Sequence, residues 1–170
     1  MKKNGFTLIE LMIVVMVISV ISAIAYPSYT SYTQKKDLAV AKQTTLQLAS
    51  ELEKFKNKNF SYKGFSAAYL YNGFNGTAGL MYLPVGSNAT NALFRLSIKD
   101  LNTNLPLTSN NTVVTGQNWV IIVERMPLTG TQKQPKNYDL LLTSNGVKCM
   151  TRTANIVQKL TDCGVDHENW

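Results

Sequence analysis

Gly5-Phe6-Thr7-Leu8-Ile9-Glu10-Leu11-Met12-Ile13-Val14-Val15-Met16-Val17-Ile18-Ser19-Val20-Ile21-Ser22-Ala23-Ile24-Ala25-Tyr26-Pro27 is the stretch on which the reading of this chain turns. Between Phe6 and Tyr26 only Thr7, Glu10, Ser19 and Ser22 are polar, and Glu10 alone is charged. Wound as a helix at ~1.5 Å per residue, the run spans ~30 Å, the thickness of a bilayer core. A short basic leader, Met1-Lys2-Lys3-Asn4-Gly5, precedes it. Its two lysines hold that end in the cytoplasm by the positive-inside rule, with the rest of the chain across the membrane.

Glu10 is the exception within the apolar run. A carboxylate deep in lipid costs ~2.5–3.5 kcal/mol on an insertion scale, less near a helix end, so a partner is expected. A cut after Gly5 would create one, the new amine on Phe6. Along a straight helix that amine cannot easily reach its own Glu10. The amine of a neighbouring helix, shifted along the axis, can. At ~4 Å such a pair is worth about 4 kcal/mol at an effective dielectric of about 20, before desolvation is subtracted. The stretch therefore reads as an assembly device, in which apolar helices pack side by side and a Glu–amine pair sets their stagger.

Gly5-Phe6-Thr7-Leu8-Ile9-Glu10 resembles the processing and assembly motif of bacterial type IV pilins and their pseudopilin relatives. The resemblance covers about the first third of the chain closely and the remainder in outline. It implies that a prepilin peptidase cuts after Gly5 and methylates the amine of Phe6. It also implies that Phe6, Glu10 and Pro27 serve assembly, Glu10 by recruiting the previous subunit. Lys35 and Lys36 match family positions too and are possible basic contacts. Ser19 stands where related pilins often carry a glycine that helps the helix loosen in the filament. Serine has the better helix propensity.

The same stretch has a plainer reading. Two lysines, an apolar run and Ala23-Ile24-Ala25 also describe a secretory signal, which would release a soluble protein beginning at Tyr26. That reading leaves Glu10 unexplained. A membrane anchor that never assembles is the other plain reading.

The chain has 170 residues and a formal net charge of +7, which loss of Lys2 and Lys3 with the leader would lower by two. Removing the leader and a long helix leaves ~110 residues, enough for one small domain with its own core. A modest positive charge favours anionic partners, though a solvated surface explains it as well. Cys149 and Cys163 are the two cysteines. In an exported chain an even count suggests a disulfide, and a loop of roughly 15 residues closed this way contributes ~3 kcal/mol in the chain-entropy model. The alternative, a metal site with His167, lacks a fourth ligand.

Beyond Pro27, which removes one helical hydrogen bond and should kink the axis, the helix pattern continues. Leu38, Ala41, Thr45, Leu48, Leu52 and Phe55 recur at steps of three and four, with Leu46 and Ala49 widening the stripe. Lys36, Gln43, Gln47, Ser50 and Lys54 lie opposite, so this half is amphipathic and should pack on the chain's own sheet. The helix should end near Lys56-Asn57-Lys58-Asn59, where asparagine tolerates left-handed geometry. The expected divisions are 1–5 leader, 6–26 membrane and assembly half of the helix, 27–58 amphipathic half, 59–91 connecting loop, 92–150 antiparallel sheet, and 149–170 disulfide-bounded C-terminal region. Within the loop, Gly73, Gly76 and Gly79 alternate with aromatics, without the Lys-Ser/Thr ending of a phosphate loop. Strand patterns follow at 92–99, 119–125, 138–143 and 147–150, the last two joined by an Asn-Gly turn. Thr112 to Thr115 could begin a further strand, and Ala154 to Leu160 a short helical piece.

Catalytic constellations are absent: there is no His-Glu-x-x-His, Gly-x-Ser-x-Gly or Walker loop, and His167 stands alone. No enzyme, cofactor or metal is expected. The fold class expected is α+β, the type IV pilin lollipop, with a long N-terminal helix on a four-stranded antiparallel sheet. The resemblance implies a structural subunit, of the small minor-pilin kind, held in the bacterial inner membrane as a single-pass protein and then moved into an extracellular filament. Its implied partners are other pilin subunits, prepilin peptidase, the inner-membrane assembly platform, and membrane lipid before assembly. The filament would serve adhesion, twitching motility or DNA uptake. Two rivals stay open. One is a type II secretion pseudopilin, for which Asp162, Asp166 and Glu168 are the only clustered acids. The other is a DNA-binding competence pilin, using Lys54, Lys56, Lys58 and Lys63, or Lys148, Arg152 and Lys159, with Phe60 and Tyr62 stacking.

Overall fold

The computed structural model describes residues 6–128 and 130–170. The expected cleavage residue Gly5 and the leader lysines Lys2 and Lys3 lie outside the described residues. The elements in order are α1 (Leu8–Asn59), β1 (Leu80–Leu83), β2 (Phe94–Asp100), β3 (Trp119–Arg125), β4 (Asp139–Thr143) and β5 (Lys148–Thr151), followed by a 3-10 turn at Val157–Lys159. Packing divides the chain into two units, Met1–Lys36 and Asp37–Trp170, and α1 supplies residues to both. This is the α+β make-up expected: one long N-terminal helix, an antiparallel sheet and a Cys149–Cys163 disulfide.

In the second unit the strands form a meander in chain order, β1-β2-β3-β4-β5, with every neighbour antiparallel. The sheet thus has five strands, not the four expected. The additional strand, β1, lies inside the stretch read as a connecting loop. Its four residues are apolar throughout, so no alternation marks them, yet Met81 and Leu83 are buried while Leu80 and Tyr82 are half-buried. The pairing Leu80↔Ser97 to Leu83↔Phe94 along β2 is what makes it a strand.

One sheet face carries Phe94, Leu96, Ile98, Trp119, Ile121, Val123, Leu140, Leu142 and Met150 into the main core, where Ala41, Leu48 and Leu52 of α1 meet them. The helix stripe is as expected at Ala41, Thr45, Leu48 and Leu52, with Leu38, Ala49 and Phe55 partly buried. Leu46 is not part of it: at ~100° per residue it lies about 140° around the helix from Ala41, and it is exposed. Thr44 is buried in its stead. The buried Thr45 hydroxyl donates to the Ala41 carbonyl at 2.8 Å, so its polarity is satisfied within the helix.

The other face of β3–β5 carries Val120, Ile122, Leu141 and Cys149, covered by Val157 and Cys163 of the tail. This is why β3 is apolar at almost every position: both of its faces are covered. The Cys149–Cys163 bond, at a sequence separation of 14, fastens the tail to β5. The short helical piece expected at 154–160 is only the three-residue 3-10 turn. Trp170 packs against the main core and its indole N–H donates to the Cys149 carbonyl at 2.9 Å.

The possible strand at 112–115 is a turn. The Asn111 side-chain oxygen accepts from the Val113 N–H at 3.1 Å and its carbonyl from the Val114 N–H at 3.2 Å. An asparagine that bonds the following backbone in this way competes with strand pairing. The turn closes on Gly116, at φ +63°. Its N–H donates to the buried Asp100 carboxylate at 3.0 Å and its carbonyl accepts from the Tyr62 N–H at 2.9 Å. A Cβ at this position would come within 2.3 Å of the Lys63 nitrogen. Gly116→Ala should therefore lower unfolding free energy by about 2–3 kcal/mol, from left-handed strain together with overpacking. Urea titration of the disulfide-intact chain checks this, and a midpoint equal to wild type would refute it.

Glu53 of α1 anchors the helix end to the sheet. Its carboxylate accepts from the Tyr62 hydroxyl at 2.8 Å and the Trp119 indole N–H at 3.1 Å. Burial pushes the Tyr62 hydroxyl above its ordinary pKa of 10.0, and the Glu53 carboxylate pushes it the same way. The neutral hydroxyl is thus favoured in the folded state. Its contribution is fully present below pH ~10 and is lost as the pH rises through the folded value, because the unfolded tyrosine ionises first. Tyr62→Phe should cost about 1 kcal/mol at pH 7 and make the chain less sensitive to alkaline unfolding. The check is the urea midpoint followed from pH 8 to pH ~11. A wild-type slope unchanged by the substitution would contradict the assignment.

Candidate functional site

The apolar segment at the start of α1 is the first candidate. Every residue from Phe6 to Tyr29 is exposed, including Leu8, Ile9, Leu11, Met12, Ile13 and Ile18. Such a continuous apolar surface in water is unfavourable by ~1.5–3 kcal/mol for each large side chain. A soluble monomer does not expose a patch of this kind without a partner surface. α1 is the one helix among the described residues that is long and apolar enough to cross a membrane.

At its N-terminus, Thr7 and Glu10 form a reciprocal pair. The Thr7 N–H and hydroxyl donate to Glu10 Oε2 at 2.9 and 2.7 Å, and the Glu10 N–H donates back to Thr7 Oγ1 at 3.4 Å. The Leu11 N–H donates to the Thr7 carbonyl at 3.3 Å, which makes Thr7 the N-cap. This is a capping box, in which threonine and a glutamate three residues on satisfy one another's free donors. A negative charge in the first turn also complements the helix dipole. Reading Glu10 as a lone acid missed this local partner. The signal was present in the sequence as Thr7-Leu8-Ile9-Glu10. The box engages Oε2, and the only partners of Glu10 in it are uncharged.

The helix passes through Pro27 without interruption. Proline has no N–H, so the Ala23 carbonyl lacks its usual i+4 donor. The hydroxyls of Ser19 and Thr30 donate to the Met16 and Pro27 carbonyls at 2.7 and 2.9 Å, bonds that loosen the local helical geometry. Lys35 and Lys36 sit further along the same helix, both exposed.

Several basic residues of the second unit are engaged with neighbouring side chains. Lys54 pairs with Glu51 at 2.6 Å, and Lys56 lies over the Tyr62 ring at 4.8 Å. Lys148 lies over Trp170 at 4.8 Å and Arg152 over Tyr138 at 4.4 Å. Tyr62, named as a stacking ring, is 2% exposed. Phe60, its companion, is 88% exposed. The tail acids have separate tasks: Asp162 accepts from the Gly164 N–H at 2.8 Å and Glu168 from the Tyr138 hydroxyl at 2.8 Å. Among the described residues, no three His, Cys, Asp or Glu side chains are grouped so as to hold a metal ion.

Residues 1–26 match the family model of the prokaryotic N-terminal methylation motif. This is the signal motif of type IV pilins and pseudopilins. Together with the apolar helix that begins within it, the motif supports a type IV pilin or pseudopilin, that is, a structural subunit. It implies assembly with other such subunits and processing by a prepilin peptidase. Motif and helix are consistent with anchoring in a membrane before assembly. Neither a curated protein nor a solved structure matches the chain.

Proposed function

We propose that this chain is a minor subunit of a type IV pilus. The peptidase cuts between Gly5 and Phe6, and the methylated Phe6 amine becomes the new terminus. The subunit waits in the inner membrane and enters a helical filament through its 8–25 surface. There Glu10 meets the Phe6 amine of a neighbouring subunit, and Pro27 gives the helix a point of adjustment. The filament serves attachment, twitching motility or DNA uptake. The observation that carries this reading is the exposed apolar surface around Glu10, within the methylation motif. Hydrocarbon and neighbouring helices of the same kind are the two environments that suit such a surface, and the carboxylate within it asks for a cation at a fixed height.

The deciding measurement is the mass and N-terminal sequence of the protein recovered from cells. A chain beginning at Phe6 with one added methyl is the expected result. A chain beginning at Tyr26 would mean an ordinary secretory signal and end the assembly role of Glu10. A type II secretion pseudopilin carries the same motif, so the sheared surface fraction separates the two. Recovery of the subunit in sheared filaments supports the pilus, and its confinement to the cell envelope supports the pseudopilin.

A further inference from the structure

Phe60 follows the last residue of α1 with φ +59°, and it is 88% exposed. Its N–H donates to the Lys56 carbonyl at 2.7 Å, closing the helix with a left-handed residue. That position suits glycine or asparagine, and a bulky aromatic there is strained. Stability alone does not account for the ring, which is held in water at a conformational cost.

Its surroundings are specific. The 111–116 turn lies along residues 61–63: the Ser61 hydroxyl donates toward the Gly116 carbonyl at 3.2 Å and Lys63 Nζ toward the Asn111 carbonyl at 3.3 Å. This brings Val113, itself 54% exposed, to the same end of the unit. Lys56, Lys58 and Lys63 flank the two apolar side chains in sequence and through these bonds. No acidic residue stands between Glu53 and Asp100, or between Asp100 and Glu124. Asp100 is fully buried, with its carboxylate on the 102, 103 and 116 N–H groups. Glu53 is taken by Tyr62 and Trp119, and Glu51 by Lys54 and Tyr69.

We propose that this end of the second unit docks on an anionic lipid surface. Phe60 and Val113 enter the interfacial layer, and Lys58 and Lys63 meet the headgroups. An aromatic ring at the headgroup level with lysines beside it is the pattern that interfacial binding uses. Single-stranded nucleic acid would share the charge but needs successive stacking platforms. The second ring is withdrawn: Tyr62 is buried, its hydroxyl is tied to Glu53, and Lys56 covers its face. Valine offers no π-face. Glu51, Glu53, Glu124 and Asp139 are already engaged with Lys54, Tyr62, Arg95 and Arg125, so these four are not offered to the lysines of a second copy. The inference concerns the second unit alone and does not depend on the pilus reading.

The test uses the full chain reconstituted by its own apolar helix in phosphatidylcholine vesicles. These are mixed with labelled second vesicles of phosphatidylcholine, with or without phosphatidylglycerol, and co-sedimentation is read. Capture of the anionic vesicles should exceed capture of the neutral ones by about fivefold for each lysine engaged, and fall with salt. Phe60→Asn keeps the left-handed turn, so its urea midpoint should match or exceed wild type, while capture falls by about fivefold or more. Lys58→Gln with Lys63→Gln should reduce capture likewise. Equal capture of neutral and anionic vesicles, or unchanged capture by Phe60→Asn, would overturn the proposal. So would tight binding of single-stranded oligothymidine that displaces the vesicles and is lost in Phe60→Asn, which would assign the site to nucleic acid.

Discussion

Glu10→Gln is expected to leave the chain membrane-bound and correctly capped, yet absent from filaments. Glutamine at the third helical position still closes a capping box, so the bonds with Thr7 survive the substitution. What disappears is the charge. In the proposed filament that charge meets the Phe6 amine of a neighbouring subunit. Its loss should reduce the amount of this subunit in the sheared filament fraction by an order of magnitude or more. Thr7→Val tests the other half: it removes the cap at about 1 kcal/mol and should leave assembly largely intact. Immunodetection in sheared and membrane fractions reads both. A wild-type filament yield from Glu10→Gln would show that Glu10 serves the cap alone.

Arg125→Met is expected to lower unfolding free energy at pH 7 by about 3–5 kcal/mol, because it strands a buried carboxylate. Arg125 Nε donates to Asp139 Oδ1 at 2.9 Å, and both residues are almost fully buried. The same guanidinium donates to the Pro135 and Arg152 carbonyls at 3.2 and 2.6 Å, tying β3 to the chain flanking β4 and β5. Burial pushes the Asp139 carboxyl above its ordinary 3.8, against the opposing pull of Arg125. A raised carboxylate contributes stability that is fully present below its unfolded pKa and lost as the pH rises through the folded one. Without the guanidinium that rise is larger. The deficit of Arg125→Met relative to wild type should therefore shrink as the pH falls from 7 toward ~4, where Asp139 takes up a proton. Adding Asp139→Leu should recover only part of the loss at pH 7, because the Arg125 backbone N–H, which donates to Asp139 Oδ1 at 2.8 Å, is then left unpaired. Urea titrations at the two pH values check both statements, and a deficit independent of pH would refute the stranded-charge account.

The sequence by itself determined the membrane-length apolar helix, its methylation motif, four of the five strands and most of the helix stripe. These are local or periodic signals. An apolar run needs no tertiary context to be recognised, and the alternation of Phe94, Leu96 and Ile98 against Arg95 and Lys99 declares a half-buried strand. Even the capping box was written in Thr7-x-x-Glu10, and went unread only because Glu10 was sought a distant partner. What tertiary structure decided lacks such a signal. β1 is a strand because β2 lies beside it, not because Leu80 to Leu83 alternate. The 112–115 segment has strand-forming residues, but Asn111 and the left-handed Gly116 bend it so that Asp100 and Tyr62 are satisfied. The left-handed end of α1 falls on Phe60 and not on an asparagine. Leu46 is apolar and exposed, since rotation about the helix, fixed by the sheet beneath, sets which side chains are covered. In each case the free energy resides in contacts between residues far apart in the chain, and a local window does not contain the partner.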